Sequence, residues 1–301
     1  MIAPRVLVVG EALIDVVHRA DGTIDENPGG SPANVAITLG RLGRSPQLLT
    51  ALGQDDHGQL LRKWLAESGV TAVPIEIART ATATAELDAA GAATYVFDIE
   101  WTLAGAHPER ADLVHVGSIA GLLEPGATDL LRLLDQQHDD TLVTYDPNIR
   151  PALIPDQDIA RQQVEALVRR ADVVKASDED LRWLYPDRES RASARAWHGS
   201  GPAIVIVTEG ADGAFAITES GEIHVPGRPA DVVDTVGAGD TFMGAIIDGL
   251  IDAGWSTGSA RAALRTTDTS HLMSILDWAA RAAAVTVSRR GANPPHRGEL
   301  V

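Results

Sequence analysis

Short apolar runs rich in Val, Ile and Leu alternate along this chain with longer segments whose apolar positions recur at helical spacing. The runs at 6–9, 113–116, 142–145, 173–175 and 204–208 read as buried strands, and the segments at 33–42, 129–137, 159–170 and 241–253 as helices. Strands that are apolar on both faces and separated by helices belong in a parallel sheet. The pattern therefore predicts an α/β fold, with a mainly parallel central sheet covered by helices on both faces. One stretch departs from that rhythm. Residues 82–99 hold two strand-like runs, 83–87 and 94–99, around Asp88-Ala89-Ala90-Gly91, the pattern of a β-hairpin. With 11–17 it is expected to form a small layer of strands over the sheet's edge, a lid with elements at about 11–28 and 82–104. Residues 256–270, rich in Ser and Thr, read as a helix that runs out into a mobile loop. No repeat, low-complexity tract or long linker interrupts the chain, so 1–301 is expected to be one domain.

The 301 residues are 45% hydrophobic, enough for a substantial core. A net charge of −17 argues against nucleic-acid and membrane partners, whose anionic surfaces would repel the chain, so a phosphate-bearing ligand must be gripped locally. Cysteine is absent, which removes disulfides, thiolate metal sites and thiol catalysis and fits a reducing cytoplasm. The apolar start at 1–10 is short and runs straight into Glu11 and Asp15, so it reads as a first strand rather than a signal peptide. No later run is long enough to span a membrane.

Candidate chemistry concentrates at Val232-Val233-Asp234-Thr235-Val236-Gly237-Ala238-Gly239-Asp240-Thr241-Phe242, followed by an amphipathic run over 243–253. The string reads as a strand end, two glycines and a helix start. Gly237 and Gly239 permit close backbone approach, and the unpaired amides of a helix's first turn make an anion site. Asp240 has two readings there. It can cap the helix, since a carboxylate is favourable at that end of the dipole. Alternatively, it can take the proton of an attacking hydroxyl while the amides of Gly237, Ala238 and Gly239 stabilise charge on a transferring phosphoryl group. Other phosphate devices are missing. Neither Lys63 nor Lys175 sits in a Gly-x4-Gly-Lys-Ser/Thr loop, no His-Arg-Asp or Asp-Phe-Gly string occurs, and no Gly-x-Gly-x-x-Gly follows the first strand.

The stretch Asp-Thr-Val-Gly-Ala-Gly-Asp-Thr-Phe at 234–242 resembles the C-terminal signature of the ribokinase/PfkB family of carbohydrate kinases. A second string is similar to the family's N-terminal signature: Gly29-Gly30-Ser31-Pro32-Ala33-Asn34-Val35-Ala36, leading into Leu39-Gly40-Arg41-Leu42-Gly43. The resemblance implies a ribokinase-like fold and ATP-dependent phosphorylation of a sugar's primary hydroxyl, with ATP and Mg2+ as cofactors and K+ as a further ion. It also implies Asp240 as catalytic base, Gly237, Ala238 and Gly239 as anion hole, and Asp15, Gly29, Gly30 and Asn34 as sugar ligands. A carboxylate and an amide supply the acceptors and donors that a polyhydroxy substrate needs. On their own, Asn34 also suits a helix-start hydrogen bond and Asp15 a solvated strand end.

Four more segments extend the resemblance. Ile206-Val207-Thr208-Glu209-Gly210-Ala211-Asp212-Gly213 is similar to a turn that puts Thr208, Gly210 and Gly213 by the ATP phosphates and ribose. Lys175-Ala176-Ser177-Asp178-Glu179-Asp180 stands at the family's Asn-x-x-Glu motif and resembles the Lys-x-Ser-x-Glu-Glu form of fructokinases. That implies nucleotide-side roles for Lys175, Ser177 and Asp180, arranging magnesium and phosphate through water; an acidic helix start is the alternative. Tyr145-Asp146-Pro147-Asn148-Ile149-Arg150-Pro151 resembles a stretch shared by fructokinases and 2-keto-3-deoxygluconate kinases, and puts Asp146, Asn148 and Arg150 at the substrate, with a surface salt bridge as the other reading of Arg150. Ser288-Arg289-Arg290-Gly291-Ala292-Asn293-Pro294-Pro295 is similar to the adenine and monovalent-cation loop: Asn293 would border the nucleotide, and Asp234, the Val236 carbonyl and carbonyls from Thr286 to Gly291 would hold potassium. Ala280 departs from the Asn that many relatives carry beside adenine. The pattern as a whole leans to a ketohexose, fructose first, giving fructose 6-phosphate. Another small sugar, such as 2-keto-3-deoxygluconate or ribose, is the alternative, and a catalytically silent sugar-binding protein is the alternative of another class. As in many relatives, lid strands would pair in a homodimer.

Overall fold

Val6 and Val8 of β1 (Val6–Val9) point into one core and Leu7 and Val9 into another, because successive strand side chains face opposite ways. The computed structural model describes residues 3–19, 22–87, 93–137 and 139–300. After β1 come β2 (Leu13–His18), β3 (Ile24–Gly29), α1 (Ser31–Arg41), β4 (Gln47–Leu52), α2 (Asp56–Glu67) and β5 (Thr71–Glu76). Then follow β6 (Thr82–Leu87), β7 (Ala93–Asp98), β8 (Leu113–Gly117), α3 (Gly126–Gln136), β9 (Leu142–Asp146), α4 (Gln157–Val168), β10 (Val173–Ser177) and α5 (Asp178–Leu184). The chain closes with α6 (Ser190–His198), β11 (Ile204–Thr208), β12 (Ala214–Thr218), β13 (Gly221–Val225), α7 (Ala238–Asp252), α8 (Arg261–Arg265) and α9 (Thr269–Val287).

Among the described residues, nine strands form one sheet in the order β13-β12-β11-β10-β9-β8-β1-β4-β5. All neighbours from β5 to β11 are parallel, and β12 and β13 join antiparallel at one edge. One core lies between the sheet and α1, α2, α7, α8 and α9, and the other between the sheet and α3, α4, α5 and α6. The expected mainly parallel sheet with helices on both faces is what the chain forms. Helix starts follow their capping chemistry: Asp55 accepts the Gly58 amide at 2.8 Å, Asp156 the Asp158 amide at 2.9 Å, and Asp268 the Ser270 amide at 2.9 Å. Each such cap contributes about 1 kcal/mol to its helix.

A second sheet, in the order β3-β2-β6-β7, stands apart from the first. β2 pairs antiparallel with β3 and parallel with β6, and Leu13, Ala81 and Ala83 form a small core beneath it. The expected hairpin is present as the antiparallel pair β6–β7, from Thr82 opposite Asp98 to Leu87 opposite Ala93. Its turn, Asp88-Ala89-Ala90-Gly91, lies outside the described residues.

Three local expectations fail. Val232 and Val233 end no strand: they are 66% and 57% exposed, and the amides of Val233 and Asp234 bond the Val287 carbonyl at the end of α9 instead of a sheet neighbour. The helix after them is not amphipathic. α7 is buried at nearly every position because the sheet, α1 and α9 surround it, so it has no wet face to keep polar. Residues 256–270 are not a helix fading into a loop; they hold a turn at Gly258–Ala260, then α8, then the capped start of α9. Arg261 Nε bonding Asp172 Oδ1 at 2.7 Å and the Ser259 amide bonding Asp140 Oδ1 at 2.8 Å fasten that segment to β9 and β10, contacts that no local pattern announces.

No helix among the described residues is long and apolar enough to cross a membrane.

Candidate active site

The C-terminal ends of β1, β8, β9, β10 and β11 meet at one edge of the sheet, with Gly117 in register with Asp146 and Ser177 with Thr208. Ligands of open α/β sheets bind at that edge. Two helices begin there, α1 and α7, and they approach so closely that a Cβ on Gly244 would lie 2.7 Å from Thr38. One turn earlier on each helix, Asn34 Nδ2 donates to Asp240 Oδ2 at 2.8 Å. Ser31 Oγ donates to Asp240 Oδ1 at 2.7 Å, and Asn148 Nδ2 reaches the same oxygen at 3.2 Å. Three donors from α1 and the loop after β9 thus converge on one carboxyl group that is only 5% exposed. An ionised carboxylate only accepts hydrogen bonds, and this cradle suits it. Asp240 does not cap its helix. The N-cap position is Gly237, at φ 75° and without a side-chain cap, and the Asp240 oxygens are turned to α1 and the β9 loop.

Beside this carboxylate, Gly29 and Gly30 do two different things. A Cβ on Gly29 would come within 2.4 Å of Asp15 Oδ2, and one on Gly30, at φ 103°, within 2.6 Å of the Glu11 carbonyl. The first glycine makes room for the Asp15 carboxyl, and the second lets α1 begin against the end of β1. Burial pushes Asp15 up to about 6, against the opposing pull of Arg150. Arg150 itself donates to Asn148 Oδ1 at 2.7 Å and to the carbonyls of Asn148 and Ile149 at 3.3 and 3.2 Å. Asn34 Oδ1 is buried with no hydrogen-bond partner. Glu11 closes the group: its carboxyl is buried beside the Ser118 hydroxyl, Arg150 and Asp240, and its Oε2 has no partner. Burial raises it to about 7, against hydrogen bonds from its own backbone and Ser118 and the charge of Arg150.

On the other flank, Lys175 Nζ bonds Asp146 Oδ2 at 2.8 Å, both side chains almost wholly buried. Ser177 and Asp180 are engaged locally. The Ser177 hydroxyl accepts the Asp180 amide at 3.0 Å, and Asp180 Oδ2 accepts the Ser177 amide and hydroxyl at 2.8 and 2.7 Å, a capping box that starts α5. Asp180 Oδ1 takes the Ile149 amide at 2.7 Å, so this carboxylate also ties α5 to the loop carrying Asn148 and Arg150. Thr208 ends β11, and Gly210 (φ 58°) and Gly213 (φ 104°) bracket the turn that follows; a Cβ on Gly213 would strike the Val225 carbonyl at 2.1 Å. Asp234 bridges two loops, accepting the Val236 amide at 3.0 Å and the Gly291 amide at 2.9 Å. Thr286 turns its hydroxyl to Thr241 at 2.9 Å, and Asn293 Oδ1 is held by Arg41 at 2.5 Å. The carbonyls of Thr286, Val287 and Gly291 already accept backbone amides. Among the described residues, no group of three or more His, Cys, Asp or Glu side chains comes together to hold a metal.

The family model for pfkB family carbohydrate kinases matches residues 3–297. The chain belongs to that family. It is 36% identical over 260 residues to the fructokinase of Rhizobium leguminosarum bv. trifolii, covering 81% of this chain and 79% of that one. To the fructokinase of Escherichia coli it is 31% identical over 314 residues, covering 98% of each. Among solved structures, it is similar to fructokinase with bound ATP from Xylella fastidiosa, with a TM-score of 0.87 at 27% identity over 97% of this chain and 94% of that one. It is also similar to aminoimidazole riboside kinase from Salmonella enterica complexed with aminoimidazole riboside and an ATP analogue, with a TM-score of 0.81 at 27% identity over 98% of each chain.

In this carbohydrate kinase the sequence points to Asp240, Asn34, Asn148, Asp15, Arg150, Asp146 and Lys175, but not to Ser31, Glu11, Ser118 or His115. Ser31 lies inside the N-terminal signature and Glu11 inside the opening Gly-Glu-Ala-Leu-Ile-Asp, so both were within view. Ser118 and His115 sit in or beside an apolar strand and carry no signal beyond being polar there. Glu11 yields a pH prediction. Its proton is held more tightly in the folded chain, at about 7, than at the ordinary glutamate value of 4.5, so its contribution to stability is fully present at low pH and is lost as pH rises through 7. Glu11→Gln removes that titration. The melting temperature of the variant relative to wild type should therefore climb between about pH 4.5 and pH 8, by the equivalent of at most about 3 kcal/mol. A difference that stays flat across this range contradicts the assignment.

Proposed function

We propose that this kinase is an ATP-dependent fructokinase, transferring the γ-phosphoryl group of ATP to the terminal primary hydroxyl of fructose and releasing ADP and fructose 6-phosphate. The observation that carries the reading is the convergence of Ser31, Asn34 and Asn148 on Asp240 at the first turn of α7. A sugar hydroxyl is a weak nucleophile. Asp240 takes its proton as the oxygen bonds to the γ-phosphorus and the bond to the β–γ bridging oxygen breaks, while the amides of Gly237 and Gly239, and that of Ala238 once it gives up its 3.3 Å bond to the Thr235 carbonyl, stabilise the charge on the group in transfer. Asp15, Asn34 Oδ1 and the backbone of Gly29 and Gly30 hold the other hydroxyls. The second sheet carries Asp15 and Gly29 and is the lid that shields the reaction from water.

Ser177, Thr208, Gly210 and Gly213 line the nucleotide side, with Asn293 at its border. Ser177 and Asp180 are committed to the α5 cap, so they would act on a nucleotide-bound magnesium ion only indirectly, and such an ion would supply neutralisation of phosphate charge. Asp234, the Val236 carbonyl and the loop from Thr286 to Gly291 offer the all-oxygen surroundings that potassium prefers. A neutral ketohexose suits the sugar pocket better than an acid sugar. Two carboxyls, Glu11 and Asp15, flank it, and Arg150, the cation that a sugar carboxylate would need, is already bonded to Asn148 and two carbonyls. The fructokinase relatives point the same way.

A coupled ADP-release assay with ATP and magnesium tests the reading against fructose, ribose, tagatose, aminoimidazole riboside and 2-keto-3-deoxygluconate. Fructose should give the highest kcat/KM. Preference for another sugar would move the specificity, and silence on all of them would overturn the kinase reading for this chain.

A further inference from the structure

Helix α1 holds the start of α7 at a second place, about 10 Å along its axis from Asn34. Its last residue, Arg41, sends Nη1 to Asn293 Oδ1 at 2.5 Å and to the Pro294 carbonyl at 2.6 Å, and Nε to Ser68 Oγ at 3.3 Å. It reaches from a fixed base. A Cβ on Gly40 would lie 2.0 Å from the Ser68 carbonyl, so the end of α1 is seated directly on the end of α2.

The loop that Arg41 grips, 289–294, backs the anion-binding turn: Ala292 fills the space that a Cβ on Gly237 would need. Before Ala292 the loop is fastened by the ion pair of Arg289 with Glu299 and by the Gly291 amide on Asp234 Oδ2; after Ala292 it is fastened by Arg41. Helix packing does not account for these last bonds. Arg44 and Arg297 pair with Asp248 and Asp252, and those pairs join the C-terminal ends of α1 and α7. Arg41 spends its donors on neutral acceptors instead, although burial and the neighbouring Arg289 both disfavour its charge there, with Glu299 pulling the other way. A flat guanidinium fork can hold several acceptors in fixed directions, which an ammonium cannot.

We propose that Arg41 is a positioning residue for phosphoryl transfer: by holding Asn293 and Pro294 it keeps Ala292 against Gly237, and so keeps the anion-binding amides and the nucleotide loop in register with the base. This rests on the kinase reading and deepens it. One rigid helix then sets both sides of the reaction, with Ser31 and Asn34 on Asp240 at its first turn and Arg41 on the wall behind the phosphate at its last.

Arg41→Met removes the fork, and Arg41→Lys keeps the charge without it. Arg44→Gln is the control, because Asp248 retains Arg297 and the Trp278 indole, at 3.0 Å, as partners. Melting temperature, calorimetric affinities for fructose, ADP and a non-hydrolysable ATP analogue, and steady-state kinetics are read for each. Both Arg41 variants should bind fructose within about threefold of wild type, bind ADP and the analogue about 10-fold more weakly, and turn over about 10-fold or more slowly. Arg44→Gln should lose melting temperature alone. If Arg41→Met does not fold, Arg41→Lys carries the test. Nucleotide affinity and kcat within about threefold of wild type in the Arg41 variants overturn the proposal. So does an equal loss of affinity for fructose and nucleotide, or the same kinetic loss in Arg44→Gln, because either marks a scaffold role. A fully active Arg41→Lys overturns the part played by the fork. The binding arm stays readable even if the wild-type chain phosphorylates no sugar tested, so failure of the proposal and failure of the kinase reading are distinguishable.

Discussion

Asp240→Asn should lower kcat by about 10²–10⁴ while fructose still binds. The amide preserves the shape of the carboxyl group: with its nitrogen at the Oδ1 position the Asn34 bond stays, the Ser31 hydroxyl turns from donor to acceptor, and only the longer bond from Asn148, at 3.2 Å, is lost. The lost quantity is proton acceptance, a feature of the transition state, and the loss therefore falls on kcat with little change in the sugar's KM. Steady-state kinetics beside calorimetric fructose binding separates the two. A variant that keeps near wild-type turnover removes Asp240 from the role of base; one that no longer binds fructose makes it a sugar ligand first.

Gly237→Ala should be as damaging for a different reason. Gly237 sits at φ 75°, a region that costs a side-chain-bearing residue about 1–3 kcal/mol. A new Cβ would also stand 2.5 Å from Ala292 Cβ and 2.9 Å from Ala292 Cα. The partner is backbone in a loop pinned by the bond from the Gly291 amide to Asp234, so the start of α7 must move instead. A shift of the anion-binding amides of even about 1 Å is enough to lower turnover by about 10²-fold. Gly254→Ala is the control: it shares the left-handed backbone, at φ 78°, but has nothing within 4 Å of its would-be Cβ and lies at the far end of α7. Strain without displacement should cost it melting temperature and leave kcat intact. If both variants retain wild-type kcat, the geometry of the Gly237 turn does not matter to catalysis.

What was legible in the sequence divides along the range of the interactions. Strand and helix order could be read because burial on both faces leaves its mark within a few residues, as at 6–9 and 204–208. The Gly-Ala-Gly-Asp turn could be read because its chemistry is local too. The cradle of Asp240 could not be assembled in the same way. Ser31 and Asn34 lie more than two hundred residues away in the chain, and they reach Asp240 through the close helix contact at Thr38 and Gly244, a feature of packing that no local period encodes. The same limit explains the misread α7, whose polar-to-apolar contrast disappears when neighbours surround it, and the misread segment at 256–270, whose anchors are Asp140 and Asp172 on distant loops. The second sheet was half legible. The hairpin β6–β7 showed itself as two runs around a turn, whereas the parallel pairing of β2 with β6 joins strands more than sixty residues apart. Lys175 looked like part of a motif string; its burial and its aim at Gly239 follow from the strand register and the seat of α7 above it.

The central claim is phosphoryl transfer from ATP to the terminal hydroxyl of fructose, and phosphorus NMR of the reaction mixture tests it most directly. With ATP, magnesium and fructose, the γ- and β-phosphate signals of ATP should give way to ADP and a single phosphomonoester identical to authentic fructose 6-phosphate, formed one for one with ADP. A phosphomonoester at another carbon, inorganic phosphate in its place, or an unchanged ATP spectrum would contradict the account.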